Sequence, residues 1–431
     1  MQLIIHRGTK EIGGTCIELI AQSTRILLDF GMPLVNAKKE PFDSKILEGK
    51  SLDELKKLKL LPKISGLYKD EAKGIDAIFI SHSHLDHYGF LRYVHPDIPI
   101  YMSKGAKQLI KISNIFIPNK VGDLKTETIN KDKKVKIGAF VVTSYLVDHS
   151  AFDARAFLVE ADGKRVFYSG DFRGHGRKSI LFKDMINNPL DDIDCLLMEG
   201  SMLGRGKQLY ENEEKVQSEI TKILRKKSNI TFLFTSTQNI DRLVSAYKAC
   251  LRTDSIFVID IYTAFVLDNL RKVSAHIPQF DWKNIRIKFL KYHADVLAEA
   301  GYKDLLYVYN RSKIDMFEIN REKDKILMLA RDNSIFPNIL KNIDKPEGST
   351  IIYSMWEGYL TDKFKDYCAS KKLQLEQIHT SGHAIVEDLE AFAKAISPKT
   401  LIPIHTFEGK QYPEMFKNVK IIEDGEIFEL N

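Results

Sequence analysis

The chain has 431 residues, of which 44% are hydrophobic and 28% charged with both signs interspersed; its net charge is +6 and its pI near 8.8. That is enough material for two or three domain-sized cores, and the basic balance admits a polyanionic partner, although no Lys/Arg block reads as a nucleic-acid tail and 131–136 reads as a solvated turn. The composition argues against a disulfide scaffold, because Cys16, Cys195, Cys250 and Cys368 are widely spaced in apolar surroundings; no signal peptide or membrane-length apolar run is evident, so the expectation is a cytoplasmic protein without membrane contact.

In chain order, short strands are predicted at 2–6, 14–20 and 25–30, followed by a polar, Lys-rich segment at 36–73 with a helix at 51–60. A strand at 75–80 leads into a histidine run. Then come a helix near 87–93, a strand at 98–102, a helix at 105–115, and strands at 134–142, 156–160, 165–169 and 195–198. From about Leu203 the texture becomes alternating helix and strand: helices near 213–226 and 241–250, strands at 230–235, 256–260, 325–330 and 349–353. Such alternation predicts a parallel sheet covered by helices. After about Gln374 follow a strand, a helix at 384–396, a strand at 400–404 and a hairpin-like piece at 419–430.

The run Ser81-His82-Ser83-His84-Leu85-Asp86-His87 places three imidazoles and a carboxylate directly after the strand that ends at Ile80. Nitrogen and carboxylate donors together suit zinc and its neighbours better than calcium or magnesium. In an extended segment residues i and i+2 share a face, so His82 and His84 can grip one ion, while Asp86 and His87, at the following turn, can reach a second. The competing reading, a histidine-rich surface loop, does not account for this spacing. Further acids and histidines stand where strands should end: Asp29, Asp148-His149, Asp171 and His405. Each alone reads as a cap or turn residue; together they suggest one sheet edge.

These residues resemble the signature of the metallo-β-lactamase superfamily: an early Asp (Asp29), H-x-H-x-D-H (His82 to His87), a later His (His149) and a later Asp (Asp171). Glu199 in Leu196-Leu197-Met198-Glu199-Gly200-Ser201, His383 in Ser381-Gly382-His383-Ala384, and His405 after Pro403-Ile404 extend the resemblance to the β-CASP branch, whose members cut nucleic acids. Within it, His405 accompanies the RNA-processing members, and Ser381-Gly382-His383-Ala384 is similar to ribonuclease J. The implied fold is α/β: an αββα metallo-β-lactamase sandwich (1–202 and 373–431) interrupted by a β-CASP domain (203–372), with the site in the groove between them.

The resemblance implies two Zn2+ sites, with Mn2+ as an alternative occupant. His82, His84 and His149 would hold the first ion, Asp86, His87 and His405 the second, and Asp171 would bridge. Asp29 would orient a ligand rather than bind metal. Two cations about 3.5–4 Å apart acidify a shared water and clamp a phosphate, which suits hydrolysis of RNA phosphodiesters by the resulting hydroxide. His383, held by Glu199, would protonate the leaving oxygen or hydrogen-bond the phosphate; both roles stay open. Catalytic assignments therefore fall on Asp86, Glu199 and His383. Phosphate contacts are expected from Ser381 and Gly382, which precede a helix, and from Arg173, for which a surface loop is the competing setting.

Thr235 to Arg242, between a strand and a helix, offers hydroxyls and amides for a phosphate or sugar, or N-caps at Thr237 or Asn239. Tyr353 to Tyr359 carries aromatics suited to base stacking or to core packing. The expected partner is single-stranded RNA, with a homodimer admitted. The rival readings are a DNA nuclease of the same fold, a catalytically silent RNA-binding subunit, and a hydrolase of a small ester or lactam. Endonucleolytic and 5′-exonucleolytic action are equally compatible with these motifs.

Overall fold

Strand Ala77–Ile80 is buried at every position because both of its faces are covered. Ala77 and Phe79 enter one apolar cluster with Leu3, Leu19, Ile26 and Leu28, while Ile78 and Ile80 enter another with Leu27, Leu67, Tyr88 and Ile100. A pleated strand sends successive side chains to opposite faces. Strand Cys195–Glu199 repeats the device: Cys195 and Leu197 join the first cluster, and Leu196 and Met198 join a third built against helices Ser179–Asn187 and Val386–Ile396.

The structure, a computed structural model, describes residues 1–36, 40–117, 120–122, 124–206 and 210–430. Part of the Lys-rich segment (37–39) and the start of the expected insertion (207–209) lie outside the described residues. The chain forms two units: Met1–Gly174 with Lys178–Gly206 and Gly382–Asn431, and His175–Arg177 with Lys207–Ser381.

The first unit holds two sheets. One runs in the order Ile427–Glu429, Gln2–Arg7, Cys16–Ala21, Thr24–Leu28, Ala77–Ile80, Ile100–Met102, Thr126–Thr128; the other runs Thr400–Ile404, Cys195–Glu199, Lys164–Tyr168, Arg155–Ala161, Phe140–Leu146, Lys134–Ile137. Their shared cluster lies between them and the other two clusters lie outside, under helices. This is the αββα layering implied by the resemblance.

Several local expectations need correction. The strand expected at 134–142 is two antiparallel strands, because Gly138 turns the chain at φ +52°. The expected terminal hairpin does not form: Ile427–Glu429 pairs with Gln2–Arg7, and Val419 bridges to Leu401. The helix expected at 87–93 is a turn of helix at Leu85–Tyr88 and a separate 3-10 turn at Leu91–Tyr93.

The second unit is built on a seven-stranded sheet, parallel throughout, in the order Lys313–Ile314, Ile285–Lys288, Ile256–Asp260, Ile326–Ala330, Thr231–Phe234, Thr350–Tyr353, Gln374–Gln377. The central strands are continuous apolar runs, as burial on both faces requires. The return of the first domain, expected at 373, falls at Gly382 instead. The reason is that Gln374–Gln377 adds to Thr350–Tyr353 as an edge strand. Among the described residues no helix is long and apolar enough to cross a membrane.

Candidate metal centre

The histidine run begins one residue after strand Ala77–Ile80. His84 is still extended (φ −84°, ψ 144°) and caps the short helix Leu85–Tyr88, whose first turn carries Asp86 and His87. The other contributors also follow strands: His149 after Phe140–Leu146, Asp171 after Lys164–Tyr168, and His405 immediately after Thr400–Ile404, in a left-handed conformation (φ 52°).

These residues converge. Potential ligand atoms of His82, His84 and His149 lie within 4.8 Å of one another, and so do those of Asp86, His87, Asp171 and His405. Asp171 Oδ2 faces both groups: it stands 3.7 Å from His82 Nε2, 3.1 Å from His87 Nε2 and 3.6 Å from His405 Nε2. Asp86 Oδ2 is 3.5 Å from both His87 Nε2 and His405 Nε2.

The donor set fits divalent cations. The Nε2 atoms of His82, His87 and His405, Nδ1 of His149 and Oδ2 of Asp171 are buried with no hydrogen-bond partner among the described residues. Such orphaned donors and acceptors are costly unless something else satisfies them. Burial, reinforced by neighbouring histidines, pushes His82, His149 and His405 well below the usual imidazole range, and burial takes His84 to about 4. They are therefore neutral at pH 7, the form that binds metal. His87 differs: burial opposes its charge, but Asp171, Asp86 and Asp29 outweigh burial and raise it. Burial raises Asp171.

Asp29 lies outside both groups and holds them from behind. Left-handed at φ 58°, it accepts from Ser81 N, Ser81 Oγ and His87 Nδ1, each at 2.7 Å, and from the Tyr168 hydroxyl. Donation by His87 Nδ1–H turns Nε2 towards the cluster. His405 Nδ1 accepts from Gly13 N at 3.3 Å and lies 3.0 Å from Thr15 Oγ1, contacts that fix its ring.

Glu199 ends strand Cys195–Glu199. Its carboxylate accepts from Phe172 N at 2.9 Å and stands 3.0 Å from His383 Nδ1, which is also 3.6 Å from Asp171 Oδ2. Burial disfavours the His383 cation, but Glu199 and Asp171 outweigh it and raise the imidazole to about 8.

The three expected phosphate contacts are placed differently. Arg173 is not on a surface loop. It is fully buried, with Nε 3.5 Å from Asp148 Oδ1 and its backbone N–H donating to Asp148 O. The ion pair with Asp148 compensates a charge that a loop would have left in water. Ser381 and Gly382 do not begin the following helix, which starts at Val386 with Ile385 as its cap. The Ser381 carbonyl instead faces His175 Nε2 at 3.1 Å, and a Cβ on Gly382 would lie 2.4 Å from Ser150 Oγ.

Sequence reasoning passed over Tyr168, Thr15 and Gly13. The available signal for Tyr168 was alternation along Lys164–Tyr168, which sends Tyr168 and Val166 to the inter-sheet side. No local signal marked Thr15, whose partner is 390 positions away in sequence.

Comparison with known proteins adds independent findings. A family described as a beta-lactamase superfamily domain matches residues 54–219, and one described as a Zn-dependent metallo-hydrolase RNA specificity domain matches residues 369–411. An RNase J-like protein of Methanocaldococcus jannaschii is 23% identical over 72% of this chain and 69% of its own length. Ribonuclease J of Helicobacter pylori is 21% identical over 98% of this chain, which spans only 60% of that relative. A solved structure of a protein of unknown function from Enterococcus faecalis V583 superposes with a TM-score of 0.80 at 22% identity, covering 99% of both chains.

Proposed function

We propose that this chain, which belongs to the β-CASP branch of the metallo-β-lactamase superfamily and is ribonuclease J-like, is a metal-dependent ribonuclease hydrolysing RNA phosphodiester bonds. The observation that carries the reading is the convergence of His82, His84, His149, Asp86, His87, Asp171 and His405, with buried ligand atoms left without a hydrogen-bond partner among the described residues. In this proposal His82, His84 and His149 hold one Zn2+, Asp86, His87 and His405 hold a second, and Asp171 serves both. Divalent cations held there supply positive charge to the phosphate and make water a stronger acid.

The remaining work falls to the chain's own side chains. Asp29 fixes the His87 ring, so that the ligand geometry exists before the substrate arrives. Glu199 holds His383 Nδ1 and favours the protonated ring, leaving Nε2 to give a proton to the departing oxygen. Ser381 and Gly382 border His383 and position the scissile phosphate. Arg173, buried against Asp148, is left out of the phosphate contacts and supports the loop that carries His149.

The test is digestion of sequence-matched single-stranded RNA and DNA by purified protein, with metal content measured in parallel on Asp86→Ala. Cleavage of RNA, with loss of both activity and metal in the variant, is the expected result. Preference for DNA would reassign the substrate. An inert wild-type protein of full metal content would indicate a binding subunit instead.

A further inference from the structure

The segments 235–242 and 353–359, whose chemistry the metal centre does not use, meet within the second unit at one cavity of about 410 Å³. Strands Ile326–Ala330, Thr231–Phe234 and Thr350–Tyr353 are parallel neighbours, so the loops that follow them emerge together. The carboxyl edge of an open parallel sheet is where such folds collect ligands, and the volume falls in the range of about 300–1,000 Å³ usual for small-ligand sites. Tyr262, Tyr353 and Tyr359 supply aromatic wall, and Ser236 and Gln238 supply polar edge.

Charge decides what kind of group fits. Arg331 lines the cavity but is bonded to Asp260 and Thr237, and lies 3.3 Å from Thr263 Oγ1. Asp332 lines the same space. Arg331 is thus already paired with Asp260, and the lining adds the carboxylate of Asp332, so a phosphate would gain little attraction there. An uncharged planar ring with hydrogen-bonding edges suits it better: tyrosine faces stack on bases whatever their sequence, while amide and hydroxyl groups meet base edges.

We propose that this cavity holds one nucleobase of a single-stranded RNA substrate, an inference that rests on the ribonuclease reading. Tyr359 is the residue to probe. It sits on the 3-10 turn Glu357–Tyr359, is 56% exposed, and meets Trp356 edge-on at 5.2 Å. Its truncation removes a stacking face without opening a core. Tyr353, by contrast, is buried and serves as floor.

The experiment compares wild type, Tyr359→Ala and Tyr359→Phe on a short single-stranded RNA and on bis(4-nitrophenyl) phosphate, a phosphodiester without a nucleobase. Tyr359→Ala should raise KM for RNA about 5- to 100-fold with kcat unchanged. Tyr359→Phe should behave as wild type, and hydrolysis of the base-free ester should be equal in all three. An abasic nucleotide scanned along the RNA should reproduce the KM rise at one position in the wild type and add nothing there in Tyr359→Ala. An unchanged KM in a protein that cuts RNA, or abasic and Tyr359 losses that add at every position, overturns the base pocket alone. A wild type that cuts no RNA sinks the ribonuclease reading and this inference with it.

Discussion

Replacing Gly31 by alanine should disable the centre from outside it. The segment Phe30 to Met32 is laced to the metal run: Phe30 N donates to His87 O at 2.8 Å, Met32 N to Leu85 O at 3.0 Å, and Gly31 N to Thr15 O at 3.0 Å. A Cβ on Gly31 would stand 1.6 Å from Asp86 O and 2.2 Å from Asp86 C. Ordinary contact begins at 3.4 Å, so the Asp86 backbone must retreat by about 1.8 Å, against hydrogen bonds on either side. A misplacement of about 1 Å at a reacting centre can cost about 100-fold in rate, so at least that loss is expected for Gly31→Ala, with about 1–3 kcal/mol of destabilisation from overpacking. Gly89→Ala provides a graded comparison. Its Cβ would meet Leu85 O at 2.5 Å and the Met32 side chain at 2.8 Å, a milder clash on the same turn. The assay is RNA cleavage against added Zn2+, together with bound metal per chain and urea unfolding of the same preparations. Wild-type rate and metal content in Gly31→Ala, or a larger loss in Gly89→Ala, would refute the argument that backbone approach at Gly31 sets the position of Asp86 and His87.

Asp29→Ala leaves Ser81 N, Ser81 Oγ, His87 Nδ1 and the Tyr168 hydroxyl without their acceptor; urea unfolding should report a loss of about 3–5 kcal/mol, and a loss below 1 kcal/mol would contradict the buried-acceptor account. Removal of metal by a chelator should lower the melting temperature, because only the folded state assembles the cluster; an unchanged melting curve for protein verified to have lost its metal would count against the ligand assignment. In the second unit, burial alone would raise the Asp260 carboxyl, but Arg331, His293 and the Thr263 hydrogen bonds hold it at about 2. Since the unfolded carboxyl titrates near about 3.9, these contacts contribute about 2–3 kcal/mol above that pH and lose it as pH falls towards about 2. Asp260→Asn should therefore flatten stability between pH 4 and 2 relative to wild type, and parallel profiles would remove these contacts from the acid response.

The chemistry of the centre was legible because it is local. His82 to His87 lie within one turn of a strand end, and the placement of Asp29, His149, Asp171 and His405 after apolar runs follows from strand periodicity alone. The two-sheet sandwich was implied by the family resemblance, and the alternation of helix and strand after about Leu203 foretold the parallel sheet. Edges were harder. Gln374–Gln377 reads as the return of the first domain, and only its pairing with Thr350–Tyr353 assigns it to the sheet before it.

The amino-acid sequence by itself determined which donors are present and at which strand ends they stand, since both follow from residue type and short-range periodicity. Tertiary structure alone decided who meets whom over long separations: Tyr168 on Asp29, Thr15 on His405, Asp148 against a buried Arg173, and Gly31 pressed on Asp86. The physical reason is that a buried charge or a missing Cβ acquires meaning only from its neighbours. In this fold those neighbours are brought together by sheet register rather than by proximity in the chain.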